Sequence, residues 1–200
     1  LDPLQDASSI QSCQKTGLVF ADSQAGWLSG DCGGVAPGAF FYQSLDGGVS
    51  WTAIELPAPE GIDFDDPGMA CGTISPQRFN VEEGKVALHC LDYSGDNPLE
   101  RFYLYSTADA GQSWSLAPYP GGDLLFVDAQ NGWALGATIY QTADGGETWQ
   151  ESNRVTWKGQ FSFINSQEGW AVAKSEAGEY GLVASKNGGA RWTLLEPVVH

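Results

Sequence analysis

The sequence predicts an all-β protein built from four-stranded antiparallel sheets that repeat along the chain. Three observations favour this fold class. An eight-residue turn pattern ending in Trp occurs four times, a second pattern ending in Gly-Trp precedes most copies, and the 200 residues include 26 Gly and 8 Trp. Glycine permits the positive φ of tight turns, and aromatic residues suit half-buried strands. We therefore expect many short strands joined by tight turns.

The turn pattern has the form Ser/Thr-x-Asp/Asn-x-Gly-x-x-Trp. Its hydroxyl and carboxylate can accept hydrogen bonds from nearby backbone N–H groups, and its Trp begins the returning strand. These residues are expected to be structural, and they are Ser44, Asp46, Gly48 and Trp51; Thr107, Asp109, Gly111 and Trp114; Thr142, Asp144, Gly146 and Trp149; and Ser185, Asn187, Gly189 and Trp192. The fourth copy has Asn187 in place of Asp and Arg191 in place of Ser/Thr. It is expected to be the least well tied.

The second pattern, Phe-x-Asp/Asn-x-x-x-Gly-Trp, predicts the first two strands of each repeat. It runs from Phe20 to Trp27, from Phe126 to Trp133 and from Phe163 to Trp170. Apolar residues alternate on both sides of the turn, as in a half-buried hairpin. In the second repeat, Asn80 and Gly84 hold the Asp and Gly positions, and Lys85 replaces the Trp. Third strands are expected at 40–44, 102–107, 138–142 and 181–185, with a fourth strand after each turn pattern.

The turn pattern resembles the Asp-box, or BNR, repeat, which joins the third and fourth strands of a β-propeller blade. Its pairing with the Phe-to-Trp pattern is most similar to the photosystem II assembly and stability factor-like branch of these propellers. The resemblance covers almost the whole chain and implies a single propeller, or a propeller fragment, with blades at approximately 1–57, 58–120, 121–153 and 154–200.

Members of that branch are exported, non-enzymatic proteins of about seven blades that bind partner proteins. Four blades therefore imply a fragment of a longer propeller, a closed small ring, or two arcs joined as a homodimer. The polar segment Leu1 to Ser12 offers no obvious strand to complete the last blade.

The four cysteines form two pairs with equal spacing. Cys13 and Cys32 are 19 residues apart, as are Cys71 and Cys90. A bridge between two antiparallel strands explains a repeated spacing, so we predict these two disulfides. Four buried free thiols are the alternative. Disulfides imply an oxidising, extracytoplasmic location, which is secreted, periplasmic or at the cell surface.

The charge balance restricts the class of partner. With 25 acidic and 9 basic residues, the net charge of −16 disfavours binding to nucleic acid or anionic lipid. It favours a protein partner with basic patches. No apolar run is long enough for membrane insertion. The only histidines are His89 and His200, so no zinc site and no cofactor are expected.

The variable loops are the expected binding surface. Successive turns of an antiparallel sheet alternate between its two ends, so the variable loops lie opposite the turn pattern. These loops are Leu28 to Ala39, Ala58 to Ala70, Leu91 to Arg101 and Lys174 to Tyr180. The candidate binding residues at that end are Trp157, Tyr93, Tyr119, Tyr180, Arg78, Arg101 and Arg154.

Two of these loop features have competing interpretations. Trp157 is either a platform for a sugar or protein partner, or an aromatic plug at the mouth of the central channel. Tyr and Trp are enriched among interface anchors. Asp63, Asp65 and Asp66 are weak candidate ligands for calcium, and the alternative is a solvated acidic loop.

A glycoside hydrolase is the rival interpretation, because sialidases and related enzymes also carry Asp-boxes. A sialidase needs three arginines for the substrate carboxylate, a Tyr-Glu nucleophile pair and an acidic Asp. Arg78, Arg101 and Arg154 supply the number, but no Phe/Tyr-Arg-Ile-Pro motif occurs. The sequence therefore predicts a non-catalytic scaffold with no catalytic residues, and a carbohydrate-binding or sialidase-like propeller is the alternative.

Overall fold

The chain is described by a computed structural model that covers residues 13–32 and 40–198. In these ranges the regular structure consists of β-strands, and every strand pair is antiparallel. The strands are β1 (Gln14–Phe20), β2 (Gly26–Asp31), β3 (Phe41–Ser44), β4 (Thr52–Ala53), β5 (Met69–Arg78), β6 (Gly84–Asp92), β7 (Leu99–Thr107), β8 (Ser115–Pro118), β9 (Asp123–Phe126), β10 (Gly132–Leu135), β11 (Thr138–Thr142), β12 (Gln150–Arg154), β13 (Lys158–Phe163), β14 (Gly169–Lys174), β15 (Tyr180–Ser185) and β16 (Thr193–Leu194). The predicted fold class, all-β with four-stranded antiparallel propeller blades, is confirmed.

Each blade consists of four consecutive strands that pair in chain order. Blade 1 contains β1 to β4, blade 2 contains β5 to β8, blade 3 contains β9 to β12 and blade 4 contains β13 to β16. The expected third strands correspond to β3, β7, β11 and β15. Blades 1 and 2 also join edge to edge, because Asp31 of β2 pairs with Gly72 of β5. The sequence patterns did not predict this continuous eight-stranded sheet.

The chain divides into two compact units at the junction between the second and third blades. The first unit is Leu1–Pro118, with blades 1 and 2, and the second is Tyr119–His200, with blades 3 and 4. The single propeller inferred from the repeats stays a prediction. The segment Leu1 to Ser12, residues 33–39 of the first variable loop, and His200 lie outside the described ranges.

The core of the first unit lies between blades 1 and 2. Trp27 is fully buried and contacts the ring of Trp114 at a centroid distance of 5.5 Å. Gly84 of blade 2 lies against the same indole, where a Cβ would collide with the ring. Phe41 and Tyr105 complete this aromatic cluster. The glycine at position 84 is therefore required for the close approach of the two blades.

The core of the second unit uses the equivalent tryptophan of blade 3. Trp133 is fully buried and stacks on Phe163 of blade 4, with ring centroids 3.8 Å apart. Its indole Nε1 donates a hydrogen bond of 2.8 Å to the Gly188 carbonyl oxygen. Leu135 and Ile139 pack around the same pair. Residues of blade 4 therefore both pack against the ring of Trp133 and accept the hydrogen bond of its indole N–H.

Each turn pattern forms a hydrogen-bonded turn, called a box turn below, at 44–51, 107–114, 142–149 or 185–192. In the third copy the Thr142 hydroxyl donates to Asp144 Oδ1 at 2.7 Å and accepts from the Gly146 backbone N–H at 2.8 Å. The other carboxylate oxygen of Asp144 accepts from the Thr148 hydroxyl at 2.5 Å. The first and second copies repeat this network. The box residues therefore hold their own turns.

The fourth box turn keeps most of this network with different residues. The Asn187 side-chain oxygen accepts from the Arg191 backbone N–H at 2.9 Å, and the Gly189 N–H donates to the Ser185 hydroxyl at 2.9 Å. Arg191 has no hydroxyl with which to repeat the side-chain bond of the other copies. The fourth turn is thus the least tied of the four, and it contains no titrating carboxylate.

The box carboxylates make the stability of the fold dependent on pH. Hydrogen bonds from the Ser113 hydroxyl, the Ser113 backbone N–H and the Thr107 hydroxyl lower the pKa of Asp109 to about 2. The hydroxyls of Ser50 and Thr148 likewise lower the pKa values of Asp46 and Asp144. A lowered folded-state pKa stabilises the fold above the unfolded value of about 3.9, and this stabilisation is lost as the pH falls through the folded value.

Asp109→Asn is expected to remove one part of this pH dependence while keeping most of the turn, as Asn187 does naturally. The free energy of unfolding of the wild type should exceed that of the variant most at pH 6, and the difference should shrink as the pH falls towards about 2. Urea unfolding across this pH range measures both. A difference that does not change with pH would show that the Asp109 carboxylate is not held as described.

Both predicted disulfides are present, with Cα–Cα distances of 4.4 Å for Cys13–Cys32 and 4.1 Å for Cys71–Cys90. Cys71 and Cys90 are directly paired residues of β5 and β6. Each bridge joins the first two strands of its blade at the end opposite the box turns, which is called the loop end below. The two disulfides of the first unit therefore tie the ends of the strands that carry its variable loops.

Candidate functional site

Hydrogen bonds link the two turns at the box end of every blade. In each box turn, the backbone N–H of the residue that follows the Asp or Asn donates to a carbonyl oxygen in the first turn of the same blade. These bonds run from Gly47 to Gln24, from Ala110 to Glu82, from Gly145 to Gln130 and from Gly188 to Gln167. Two side chains also reach the next blade, since Gln43 Nε2 donates to the Ala110 carbonyl and Gln141 Nε2 to the Ser166 carbonyl, both at 3.2 Å. These backbone groups are therefore already used in hydrogen bonds within the fold.

The loop end of the first unit is filled by the long connection between blades 1 and 2. Leu56 and Ile62 are buried in the core cluster, and Phe64 packs against it. The Tyr105 hydroxyl donates to the Pro57 carbonyl at 2.6 Å. Within the loop from Ala58 to Ala70, which was predicted to be a binding loop, Ile62 and Phe64 therefore pack into the space between the two blades, whereas residues 65–67 are exposed.

The loop end of the second unit contains an open cleft between blades 3 and 4. Only three residues, 155–157, connect β12 to β13, so no long loop fills the gap. The cleft has a volume of about 550 Å³. It is lined by Asp123, Leu135, Gly136, Ala137, Val155, Thr156, Trp157, Lys158, Gly159, Phe161, Lys174, Ser175 and Glu176. This cleft is the candidate functional site.

Trp157 forms the aromatic wall of the cleft. Its ring stacks on Phe161 with centroids 5.4 Å apart and meets Trp192 edge to face at 5.8 Å. Gly159 lies against the indole, where a Cβ would collide with it. Trp157 is half-buried, so part of the ring is packed and part is accessible. The residue therefore packs against blade 4 and also lines an accessible cavity, and the platform and channel-plug interpretations both stay predictions.

Charged side chains surround this apolar wall. Lys158 and Lys174 are directly opposite each other in the pairing of β13 with β14. Lys174 Nζ lies 5.2 Å from the centroid of Tyr180, which is exposed at the start of β15. Asp123 and Glu176 supply two carboxylates to the lining. The cleft therefore offers an apolar interior with both signs of charge around it, which suits a ligand that has an apolar group and polar flanks.

Two of the predicted binding residues have structural roles. Tyr119 is buried, contacts Trp149 at a centroid distance of 6.3 Å, and donates from its hydroxyl to the Gly122 carbonyl. Burial raises the pKa of the Tyr119 hydroxyl. Its placement among accessible loop residues was wrong, because the chain enters blade 3 through the core at this point.

Arg78 lies at the box end rather than at the loop end, and that prediction was also wrong. It occupies the position of Phe20, Phe126 and Phe163 in the Phe-to-Trp pattern. Its guanidinium lies 4.4 Å from the centroid of Trp27, and it donates to the Asn80 and Val81 carbonyl oxygens of the adjacent turn. Burial lowers the pKa of Arg78. A cation–π contact here replaces the aromatic contact that Phe163 makes with Trp133.

The remaining candidates lie at the loop end of their blades but outside the cleft lining. In blade 2, Tyr93 is exposed, and Arg101 forms an ion pair of 3.5 Å with Asp92. In blade 3, Arg154 pairs with Glu151 at 2.8 Å. Both arginines therefore have carboxylate partners already.

In the part of the chain that the structure describes, the candidate calcium ligands Asp63, Asp65 and Asp66 do not belong to a cluster arranged to hold a metal ion. Asp63 Oδ1 accepts from the Asp65 backbone N–H at 3.0 Å, and Asp66 Oδ1 accepts from the Gly68 N–H at 2.8 Å. These two carboxylates shape their own turns. In residues 13–32 and 40–198, no group of three His, Cys, Asp or Glu side chains is arranged to hold a metal ion.

The sequence missed most of the cleft lining, including Leu135, Ala137, Val155 and Phe161. A signal for part of it was present in the short distance between the second and third box turns, which leaves only Gly136 and Ala137 to connect β10 to β11. Over the described ranges, none of the structure forms a helix long and apolar enough to cross a membrane.

Comparison with known proteins gives similarity to solved structures only. No protein-family profile matches the chain, and no curated protein sequence matches it. The similar structures include YCF48 bound to D1 peptide, with 17% identity over 92% of this chain and 81% of that chain and a TM-score of 0.49.

Two further similar structures are more distant. The GH74 enzyme of Niastella koreensis has 12% identity over 94% of this chain and 38% of that chain, with a TM-score of 0.35. YCF48 from Cyanidioschyzon merolae has 13% identity over 92% of this chain and 86% of that chain, with a TM-score of 0.30. At such values the similarity carries no information about activity or partner, so the site must be interpreted from its own residues.

Proposed function

We propose that this protein is a non-catalytic, extracytoplasmic scaffold of the Asp-box, photosystem II assembly and stability factor-like type, which binds a protein partner at the loop end of its second unit. The observation that carries the proposal is the open cleft between blades 3 and 4 at the loop end, whereas the turns at the opposite, box end of these blades are hydrogen-bonded to each other. The two disulfides support an oxidising compartment.

The cleft fits an apolar side chain presented by a protein or peptide. Its volume of about 550 Å³ lies within the usual range for ligand pockets. Leu135, Val155 and the accessible part of Trp157 supply apolar surface, and the lysines and carboxylates supply a polar surround. Protein interfaces commonly combine a buried apolar or aromatic anchor with such a rim.

Acidic loops at the loop end of blade 2 favour basic patches on the partner. Asp92, Asp96 and Glu100 lie in or beside the connection from β6 to β7, and Arg101 is the neighbouring cation. With the net charge of −16, these groups attract basic protein surfaces and increase the association rate at low salt. Binding is therefore expected to weaken as the salt concentration rises.

The positions of the arginines favour binding over sialidase-like hydrolysis. A substrate-carboxylate clamp requires its arginines to converge on one point. Arg78 pairs with Gly84 at one end of blade 2, whereas Arg101 pairs with Cys90 towards the other end. Arg154 is held by Glu151. These placements support a protein-binding function.

Selection of displayed peptides on the immobilised protein tests the proposal. Enriched peptides should share an aromatic or aliphatic anchor residue, and they should lose at least about tenfold in affinity for Ala137→Arg, because the new side chain obstructs the cleft. Ala137 is exposed and its carbonyl, not its side chain, bonds to Val155, so the variant should fold. Ala143→Arg, the same change on an exposed alanine of a box turn, is the matched control and should bind normally.

Three results would contradict the proposal. Peptides that bind Ala137→Arg and the wild type equally would show that the cleft is not the binding site. Loss of binding in the Ala143→Arg variant alone would place the site at the box end. Turnover of a glycoside, or quenching of tryptophan fluorescence by a saccharide but not by the selected peptides, would favour the carbohydrate-active alternative.

A further inference from the structure

The outer face of blade 4 exposes a tryptophan that its equivalents bury. Trp27, Trp133 and Trp170 occupy the same position of the Phe-to-Trp pattern. Trp27 and Trp133 are 0% exposed, whereas Trp170 is 41% exposed. An indole in a repeated structural position normally contributes its large apolar area to packing. The difference shows that this position of blade 4 lacks the cover that blades 1 and 3 receive.

The cover in the other two cases is the face of the following blade. Phe163 of β13 stacks on Trp133, and Arg78 of β5 lies over Trp27 at the corresponding position. In both pairs, the face that bears the Gly-Trp tryptophan meets the face that bears the first-strand Phe or its replacement. The chain thus builds the same kind of blade-to-blade interface twice, once in each unit.

The exposed face of blade 4 has the apolar composition of an interface. Val172 and Leu182 are directly paired across β14 and β15, and both are exposed on the same face as Trp170. Leu195, beyond β16, is also exposed, and its backbone N–H bonds to the Leu182 carbonyl. An antiparallel sheet that faces water usually carries polar residues at these alternating positions. These exposed apolar side chains on β14, on β15 and beyond β16 therefore indicate a binding surface.

Blade 1 exposes the complementary face. Leu18 is 60% exposed, and Phe20, two residues along the same face of β1, is also exposed. The equivalent Phe163 of blade 4 is buried against Trp133. The Phe20 face of blade 1 thus corresponds to the face that packs over a Gly-Trp tryptophan inside the chain. The Trp170 face of blade 4 corresponds to the face that is packed over.

We propose that the exposed face of blade 4 binds blade 1 of a second copy of this chain. The pairing continues the interface that the chain already forms between its own blades, with Trp170 in the place of Trp133 and Phe20 in the place of Phe163. The contact is head-to-tail, because the two faces belong to different blades. It is separate from the cleft between blades 3 and 4 and does not depend on the proposed partner binding.

Sedimentation over a wide range of protein concentrations tests this pairing. The wild type should associate, and Trp170→Asp and Leu18→Asp should each weaken association by at least about 30-fold, since each places a carboxylate in an apolar contact. Both side chains are exposed in the single chain, so both variants should keep the wild-type far-UV circular dichroism spectrum. Val49→Asp makes a similar change at an exposed apolar residue of a box turn and should leave association unchanged.

A mixture of the two variants identifies the head-to-tail arrangement. Trp170→Asp keeps an intact blade 1, and Leu18→Asp keeps an intact blade 4, so the mixture should form a heterodimer although neither variant associates alone. Absence of this restoration would indicate a symmetric contact and would overturn the proposal. A wild-type protein that stays monomeric at every concentration, because another blade of the same chain covers Trp170, would overturn it as well.

Discussion

Trp133→Ala is expected to lower the free energy of unfolding by about 3–5 kcal/mol, which is the usual cost of removing a large buried aromatic side chain. The indole is fully buried, it stacks on Phe163 at 3.8 Å, and its Nε1 is bonded to the Gly188 carbonyl. The substitution leaves a cavity between blades 3 and 4 and an unpaired carbonyl oxygen. Guanidinium unfolding followed by far-UV circular dichroism measures the loss.

Trp170→Ala is the matched control, because it removes the same side chain from the same position of blade 4. At a protein concentration low enough to prevent association, its cost should be much smaller than that of Trp133→Ala, since Trp170 is partly exposed. Equal costs for the two substitutions would contradict the claim that blade 4 encloses Trp133.

Replacement of both Cys71 and Cys90 by alanine is expected to destabilise the first unit by about 3 kcal/mol. The bridge closes a loop with a sequence separation of 19, and its removal increases the conformational freedom of the unfolded chain. Cys90 is also fully buried and both residues belong to the core cluster, so their loss removes packing as well. Thermal or guanidinium unfolding measures the change.

The distribution of cysteines supplies an internal control for this prediction. All four lie before residue 118, so a reducing agent should destabilise the first unit and leave the unfolding of the second unit unchanged. Hydrogen exchange of amides in each unit separates the two responses. A second unit that is equally sensitive to reduction would show that the two units do not unfold independently.

The repeated patterns were sufficient to predict the blades, because their information is local. The hydroxyl, carboxylate and glycine of a box turn bond to each other within eight residues, so Ser44, Asp46 and Gly48 specify a turn without help from the rest of the chain. Equal cysteine spacing was sufficient for the same reason, since Cys71 and Cys90 are opposite each other in one hairpin.

The candidate site was predicted less well, because it depends on which blades meet and on what fills the space between them. Arg78 was placed among loop residues, because nothing in the neighbouring sequence indicates that an arginine at a Phe position packs over Trp27 of another blade. Tyr119 was placed there because its burial depends on the neighbouring Trp149. Trp157 was named as a candidate binding residue, but the cavity beside it follows from the short connection at 155–157.

Hydrogen exchange of the full chain, with and without a peptide selected on it, locates the binding surface. Exchange is expected to slow on binding in the segments that line the cleft, at 135–137, 155–161 and 174–176, and to stay unchanged in the box turns. Protection of the box turns at 142–149 or 185–192 in place of the cleft would contradict the assignment of binding to the loop end.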